Sequence, residues 1–299
     1  MMIRLLFSIS ILLFTGVNSF AQKALYKHPA DHWAPIPSGT CKLGNGDTVG
    51  VKAFWMSKTE ISNFEYREFV AWVAKSGDTA KLRHILPDTL VWRAKLSYNE
   101  PYVEYYFRHP AYADYPVVGV SHEAAKLYCV WLTEIFNARL QELFPKLKAR
   151  AVEVRLPTET EWVWAARGGH KEMPYPWGGP YLRNAQGDFM CNISRLGDES
   201  ISFDPKGEPF VIRRSSIDQM TGKSYPDVTA PVKSYWPNDY GLYNMSGNVA
   251  EMLAQAGVAK GGSWFTGGYD AQIDAPDPHL GNTAPTSYIG FRPMFVVLP

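Results

Sequence analysis

The chain reads as one globular domain of mixed, mostly irregular secondary structure, with a few well-capped helices set among loops and short strands. Three observations lead there. Of its 299 residues, 46% are hydrophobic and 14% aromatic, enough to fill one large core. No internal repeat, low-complexity tract or charged linker divides it. The helix starts are written in capping residues, whereas the intervening segments are rich in Gly, Pro, Asn, Trp and Tyr.

The elements follow in order. Residues 1–21 join one positive charge, Arg4, to an apolar run over 5–14 and the small-x-small ending Ser19-Phe20-Ala21. That is the pattern of a secretory signal peptide, and the run is shorter than the ~20 residues a membrane span needs. The mature chain is expected from Gln22, with 22–32 as an N-terminal extension and 33–299 as the domain. No cysteine follows the apolar run directly, which speaks against a lipid-modified start.

Ser62-Asn63-Phe64-Glu65 is a capping box, in which the serine accepts from first-turn amides and the glutamate reaches back. Phe64, Phe69, Trp72 and Val73 then supply an apolar face. Ser121 caps a second helix, roughly 122 to 137, with Ala124, Ala125, Tyr128, Trp131 and Leu132 at helical spacing. Thr158-Glu159-Thr160-Glu161 is another capping box, and Trp162, Ala165 and Ala166 form its buried stripe before Gly168-Gly169 ends the helix. The stretch from about 193 to 227, with Gly207 and Gly222, is the most polar and reads as a surface excursion.

Charge excludes two partner classes. The formal net charge is +1, and the longest basic cluster is the pair Arg213-Arg214, too little to track a nucleic-acid backbone or an anionic membrane. Three cysteines in an exported chain forbid complete internal pairing. Cys129 lies in an apolar helical pattern and reads as a buried small hydrophobe. Cys41 with Cys191 is the one pairing left open.

The stretch KGGSWFTGGYDAQ at 260 to 272 sets two glycines and a tryptophan in what reads as a tight backbone turn, followed by no thiol and no histidine. It closes a series of segments: FWMSKTEISNFEYREFV at 54 to 70, YPVVGVSHEAAKLYCVWL at 115 to 132, RLPTETEWVWAARGG at 155 to 169, GLYNMSGNVAEM at 241 to 252, KGGSW at 260 to 264 and GFR at 290 to 292. In this order and spacing the chain resembles the formylglycine-generating-enzyme, or sulfatase-modifying-factor, family from about Trp33 onward.

The resemblance implies an α+β single domain, related to C-type lectins, with little regular secondary structure and bound structural calcium. It assigns calcium to Asn248 and Glu251 in GNVAE, and a second calcium to the region of Asn192 and Ile193. The aspartate expected before Thr229-Ala230-Pro231-Val232 is Ser224 here, with Asp227 as the alternative. Family enzymes bind copper(I) through a cysteine pair soon after GGSW, because a soft ion takes thiolates. This chain has Phe265, Thr266, Gly267, Gly268, Tyr269 and Asp270 there and no cysteine from Gly261 onward, so no copper is expected.

Other residue groups carry partial site signatures. His28 and His32 have a metal-like spacing but flank Pro29 near a frayed terminus. Asp274, Asp277 and His279 are a candidate for an unrecognised metal, with an exposed loop as the plainer reading. His122 reads as a packing change. No G-x-S-x-G, zinc spacing or P-loop is present, and Ser263 has no histidine nearby in sequence.

Within the family, TEISNFEYREFVAWV, the Tyr102 to Tyr106 cluster and SYWPNDYGLYNMSGNVAEM resemble proteins of bacterial gliding motility and type IX secretion. That implies an exported, noncatalytic component of an envelope protein complex, periplasmic or associated with the outer membrane, with Tyr102, Tyr105, Tyr106 and Phe107 either a contact surface or a buried aromatic cluster. The alternatives are a glycan or ligand binder using the loop from Phe265 to Pro285, and an enzyme with a metal at Asp274, Asp277 and His279.

Overall fold

Capping residues place the three expected helices. In the computed structural model, which describes residues 29–44, 46–93, 98–143, 151–194 and 228–298 with short pieces between 201 and 224, Asn63–Ser76 starts at a complete capping box. The amide of Ser62 donates to Glu65 Oε2 at 2.8 Å, and Gly77 ends the helix at φ 77°. His122–Ala138 is capped by Ser121, and Glu159–Ala166 by the Thr158–Glu161 box. Gly168 and Gly169, at φ 57° and 92°, then turn the chain. Tyr66, Phe69 and Val73 form the buried face of the first helix, while Phe64 and Trp72 are only partly covered.

The structure also holds the short helices Thr79–Ile85 and Glu100–Tyr105. Asp78 caps the first of them by accepting from the Lys81 amide. The signal-peptide segment, His28, Arg213-Arg214, Gly207, Gly222 and Asp227 lie outside the described residues. Of the polar excursion, Ile201–Phe203 pairs with Pro209–Val211 and Ile217–Asp218 with Lys223–Ser224, while Ile193 itself is buried.

A four-stranded antiparallel sheet runs in the order Trp33–Ile36, Phe54–Ser57, Met294–Leu298, Ala151–Arg155. The C-terminal strand therefore sits inside the sheet. Its two faces separate two cores, as the period of two requires. Trp33, Val152, Val154 and Phe295 face Tyr66, Tyr128, Trp131 and Phe136, whereas Ala34, Ile36, Met56 and Met294 face Trp162, Ala165 and Leu242. At the outer edge of Ala151–Arg155, helix side chains take the place of a fifth strand. Asn137 exchanges both of its amide hydrogen bonds with the backbone of Val152, and Thr133 Oγ1 accepts from the Val154 amide at 2.9 Å.

A smaller sheet joins Ala259–Lys260, Ala250–Met252 and Ile289–Gly290. It brings the GNVAE, KGGSW and GFR segments side by side.

Candidate functional site

At the junction of those three segments lies a buried polar network. Arg292, fully enclosed, donates Nε to both carboxylate oxygens of Glu251 and a terminal nitrogen to Oε1 at 2.7 Å. Its terminal nitrogens also donate to the carbonyls of Ser57 and Tyr243. Trp162 Nε1 also donates to Glu251, at 2.7 Å. Glu60, likewise fully buried, stands 3.9 Å from Arg292 and accepts from the side-chain amides of Asn248 and Asn244. One guanidinium thus faces two carboxyl groups. Burial, with some help from Glu251, pushes the Glu60 pKa up to about 8 against the pull of Arg292 and Asn248.

Beside this network, the KGGSW turn is shaped by contact. Gly261 and Gly262 sit at φ 94° and 64°, and a Cβ on Gly262 would fall 2.9 Å from the backbone of Asp270 and Ala271. Trp264 is fixed by its indole N–H to the Ser287 carbonyl and its amide to the Asn248 carbonyl. The next residues hold one another: the Ser263 amide donates to Thr266 Oγ1, the Gly267 amide to Asp270 Oδ2, and Tyr175 Oη to the Gly268 carbonyl. The positions after GGSW are a knitted loop.

The expected calcium residues divide. Asn192 and Asn248 meet, with the Asn248 amide on the Asn192 carbonyl at 2.7 Å, and Ile193 is buried beside them. Glu251 does not fit a cation, because Arg292 and Trp162 already engage both of its oxygens. Asn248 Oδ1 accepts from the Ala230 amide and from Asn192. The oxygen that fits a hard cation is Asn244 Oδ1, which is buried and meets no donor among the described residues. Asn244 and Asn248 both adopt left-handed backbone, φ 53° and 66°, which asparagine tolerates.

Several other expectations are corrected. Asp274, Asp277 and His279 do not converge: Asp274 takes both oxygens to Arg167, while Asp277 accepts from the Ala259 and His279 amides. Among the described residues no group of three or more His, Cys, Asp or Glu side chains is placed to hold a metal. Cys41, Cys129 and Cys191 are buried, and none of them forms a disulfide. Cys41 packs near Trp162 and Cys191 against Tyr175 and Ala271, so they do not pair. Burial raises the Cys129 thiol pKa, which keeps it unreactive.

The aromatics from Tyr102 to Phe107 divide, with Tyr106 buried, Tyr102 and Phe107 half-buried and Tyr105 on the surface. Tyr106 is enclosed among Trp92, Tyr102, Tyr112 and Trp264, and Tyr105 is the exposed aromatic of the four. His122 is more than packing, since its Nε2 contacts the Leu253 carbonyl at 2.8 Å.

Glu60 and Arg292 were missed as site residues although both lie in quoted motifs. Nothing within a few residues of either announces a buried charge. Asn244 in YNMSGN was equally silent.

Residues 21–295 match the family model described as the sulfatase-modifying factor enzyme 1-like domain. A formylglycine-generating enzyme of Thermomonospora curvata is 27% identical over 291 residues, covering 84% of this chain and 79% of that protein. An inactive C-alpha-formylglycine-generating enzyme 2 of Bos taurus is 28% identical over 295 residues, 86% of this chain and 81% of its own length. Among solved structures, CarF shares the fold with a TM-score of 0.54 and 20% identity, over 90% of this chain and 98% of that one. With the family model spanning nearly the whole chain, this protein belongs to the sulfatase-modifying factor enzyme 1-like domain family.

Proposed function

We propose that this protein is an exported, noncatalytic family member that serves as a structural or interaction component of a gliding-motility or type IX secretion apparatus. The observation that carries the noncatalytic half is the loop after Trp264. No cysteine follows Cys191 in the chain, and Thr266, Asp270 and Gly268 are committed to hydrogen bonds and packing. A soft-metal oxidation centre built on a thiolate pair has no donors there. Similarity to a protein named as inactive supports the same reading. The apparatus rests on the resemblance of the TEISNFEYREFVAWV and SYWPNDYGLYNMSGNVAEM segments alone. No described helix is long and apolar enough to cross a membrane, which suits an exported protein docked on an envelope complex. Structural calcium belongs to the proposal, with Asn244 Oδ1 as its buried oxygen.

Purification of the tagged protein from its own cell envelope, with mass spectrometry of what co-purifies, tests the assembly role. Secretion or motility ring components are expected, and their absence sinks it. Incubating the copper-supplied protein with a cysteine peptide of sulfatase type tests the other half. Any formylglycine above background ends the noncatalytic reading.

A second reading has one observation in its favour. Tyr181 and Tyr269, 76% and 65% exposed, flank the close contact of Leu182 with Gly268, and the Trp177 indole holds the Tyr181 carbonyl. Exposed aromatic faces on a braced loop suit stacking against a glycan, and a glycan array decides it.

A further inference from the structure

The loop at 276–285, PDPHLGNTAP, carries no aromatic ring except the imidazole of His279, and its Leu280 is 72% exposed. It is tied at its two ends, where the Ala275 carbonyl accepts from Lys260 Nζ and the Thr286 carbonyl from the Gly119 amide. Between these ends it meets the turn at 257–259. Asp277 Oδ2 accepts from the Ala259 amide at 2.8 Å, and the Gly281 amide donates to the Gly257 carbonyl at 2.7 Å. His279 stands between these two bonds in sequence, its ring 4.6 Å from that of Tyr288.

The inner nitrogen of that ring has no place for a proton. His279 Nε2 is buried and meets no hydrogen-bond partner among the described residues. His279 lines a void of about 20 Å³ together with His122, Met252, Val258 and Ile289, which leaves room for one water. A bare lone pair costs little there. The N–H of an imidazolium would be a buried donor on a buried charge, and one water does not replace the hydration it loses.

The titratable groups around the ring are Asp277 on the same loop, Asp270 on the loop after Trp264, Tyr288, and His122, whose Nε2 is held by the Leu253 carbonyl. Burial lowers the His279 pKa from its ordinary 6.5, against the upward pull of Asp277 and Asp270. In an open loop the ring regains water and its ordinary pKa. Below about pH 6.5 the open form therefore takes up a proton that the closed form refuses, and opening grows by up to roughly tenfold per pH unit until the lowered pKa is passed.

We propose that the loop at 276–285 is an acid-released latch, in which protonation of His279 expels its ring, frees the loop from the turn at 257–259 and uncovers Tyr288, the residue that stacks on Phe265. The latch holds whether or not the protein belongs to a secretion or motility assembly.

The test is hydrogen exchange of the full chain, read at the Gly281 and Ala259 amides and corrected for the intrinsic pH dependence of exchange. Between about pH 7.5 and about pH 5.5 the opening constant is expected to rise several-fold, up to roughly tenfold. His279→Gln and His279→Phe are expected to abolish the rise, the second keeping a flat ring on Tyr288 and so remaining informative where the first fails to fold. His122→Gln is expected to retain it. No rise in the wild type, a rise unchanged in both His279 variants, a rise lost in His122→Gln, or an equal rise at the core amide of Tyr66, which is bonded to the Ser62 carbonyl, would each overturn the proposal.

Discussion

The guanidinium of Arg292 and the carboxylate of Glu251, both shut off from solvent, meet through three hydrogen bonds of 2.7 to 3.0 Å. Removing one partner leaves the other as an unpaired buried charge, which costs about 3–5 kcal/mol. Arg292→Ala is expected to lose that much in urea unfolding. Arg292→Lys recovers little of it, because an ammonium lacks the planar fork that also reaches Ser57 and Tyr243. A loss below about 1 kcal/mol in Arg292→Ala would show that solvent reaches the site.

Glu60 makes stability depend on pH. Its pKa is about 8 in the folded protein against a reference of 4.5, so the folded state holds the extra proton between these values. Stability is therefore expected to fall as pH rises through that window, by up to about 1.4 kcal/mol per unit, and to level off above it. Glu60→Gln flattens this dependence when unfolding free energies are compared at mildly acidic and mildly alkaline pH. Parallel curves for the two proteins would assign the slope to other groups.

Asn137 and Thr133 close the edge of Ala151–Arg155. Asn137→Ala strips the Val152 N–H and C=O of their partners, an expected loss of about 1–3 kcal/mol. Hydrogen exchange at Val152 reads it directly, and unchanged protection there would refute the role.

Gly247 tests backbone approach. At φ 76° a Cβ would fall 2.4 Å from the Asn192 carbonyl oxygen, so Gly247→Ala is expected to cost more than about 2 kcal/mol. Gly50→Ala is the control, because a Cβ there meets nothing within 4 Å. Equal melting temperatures for the two variants would contradict the close packing at Asn192.

The calcium proposed at Asn244 has a thermal signature. Chelation is expected to lower the melting temperature of the wild type and to leave Asn244→Ala unmoved. A wild type indifferent to chelator would leave Asn244 Oδ1 to water.

How much was legible follows from the range of each interaction. Ser62 with Glu65, Ser121 with Ala124 and Thr158 with Glu161 are partners three residues apart, so their helices could be read directly from the chain. Thr79–Ile85 and Glu100–Tyr105 were not, being short and weakly patterned. The ordered series of motifs was equally visible, and with it the family.

The chain by itself determined the helix starts, the family and the missing thiols after GGSW, because capping is local and composition needs no coordinates. Tertiary structure alone decided which groups meet. It set Arg292, on the short link between the Ile289–Gly290 and Met294–Leu298 strands, against Glu251 and Glu60, drew Asp274 to Arg167 and away from His279, and buried Tyr106 while leaving Tyr105 outside. The same tyrosine or carboxylate takes opposite roles according to what packs over it, and desolvation and long-range partners are properties of the fold.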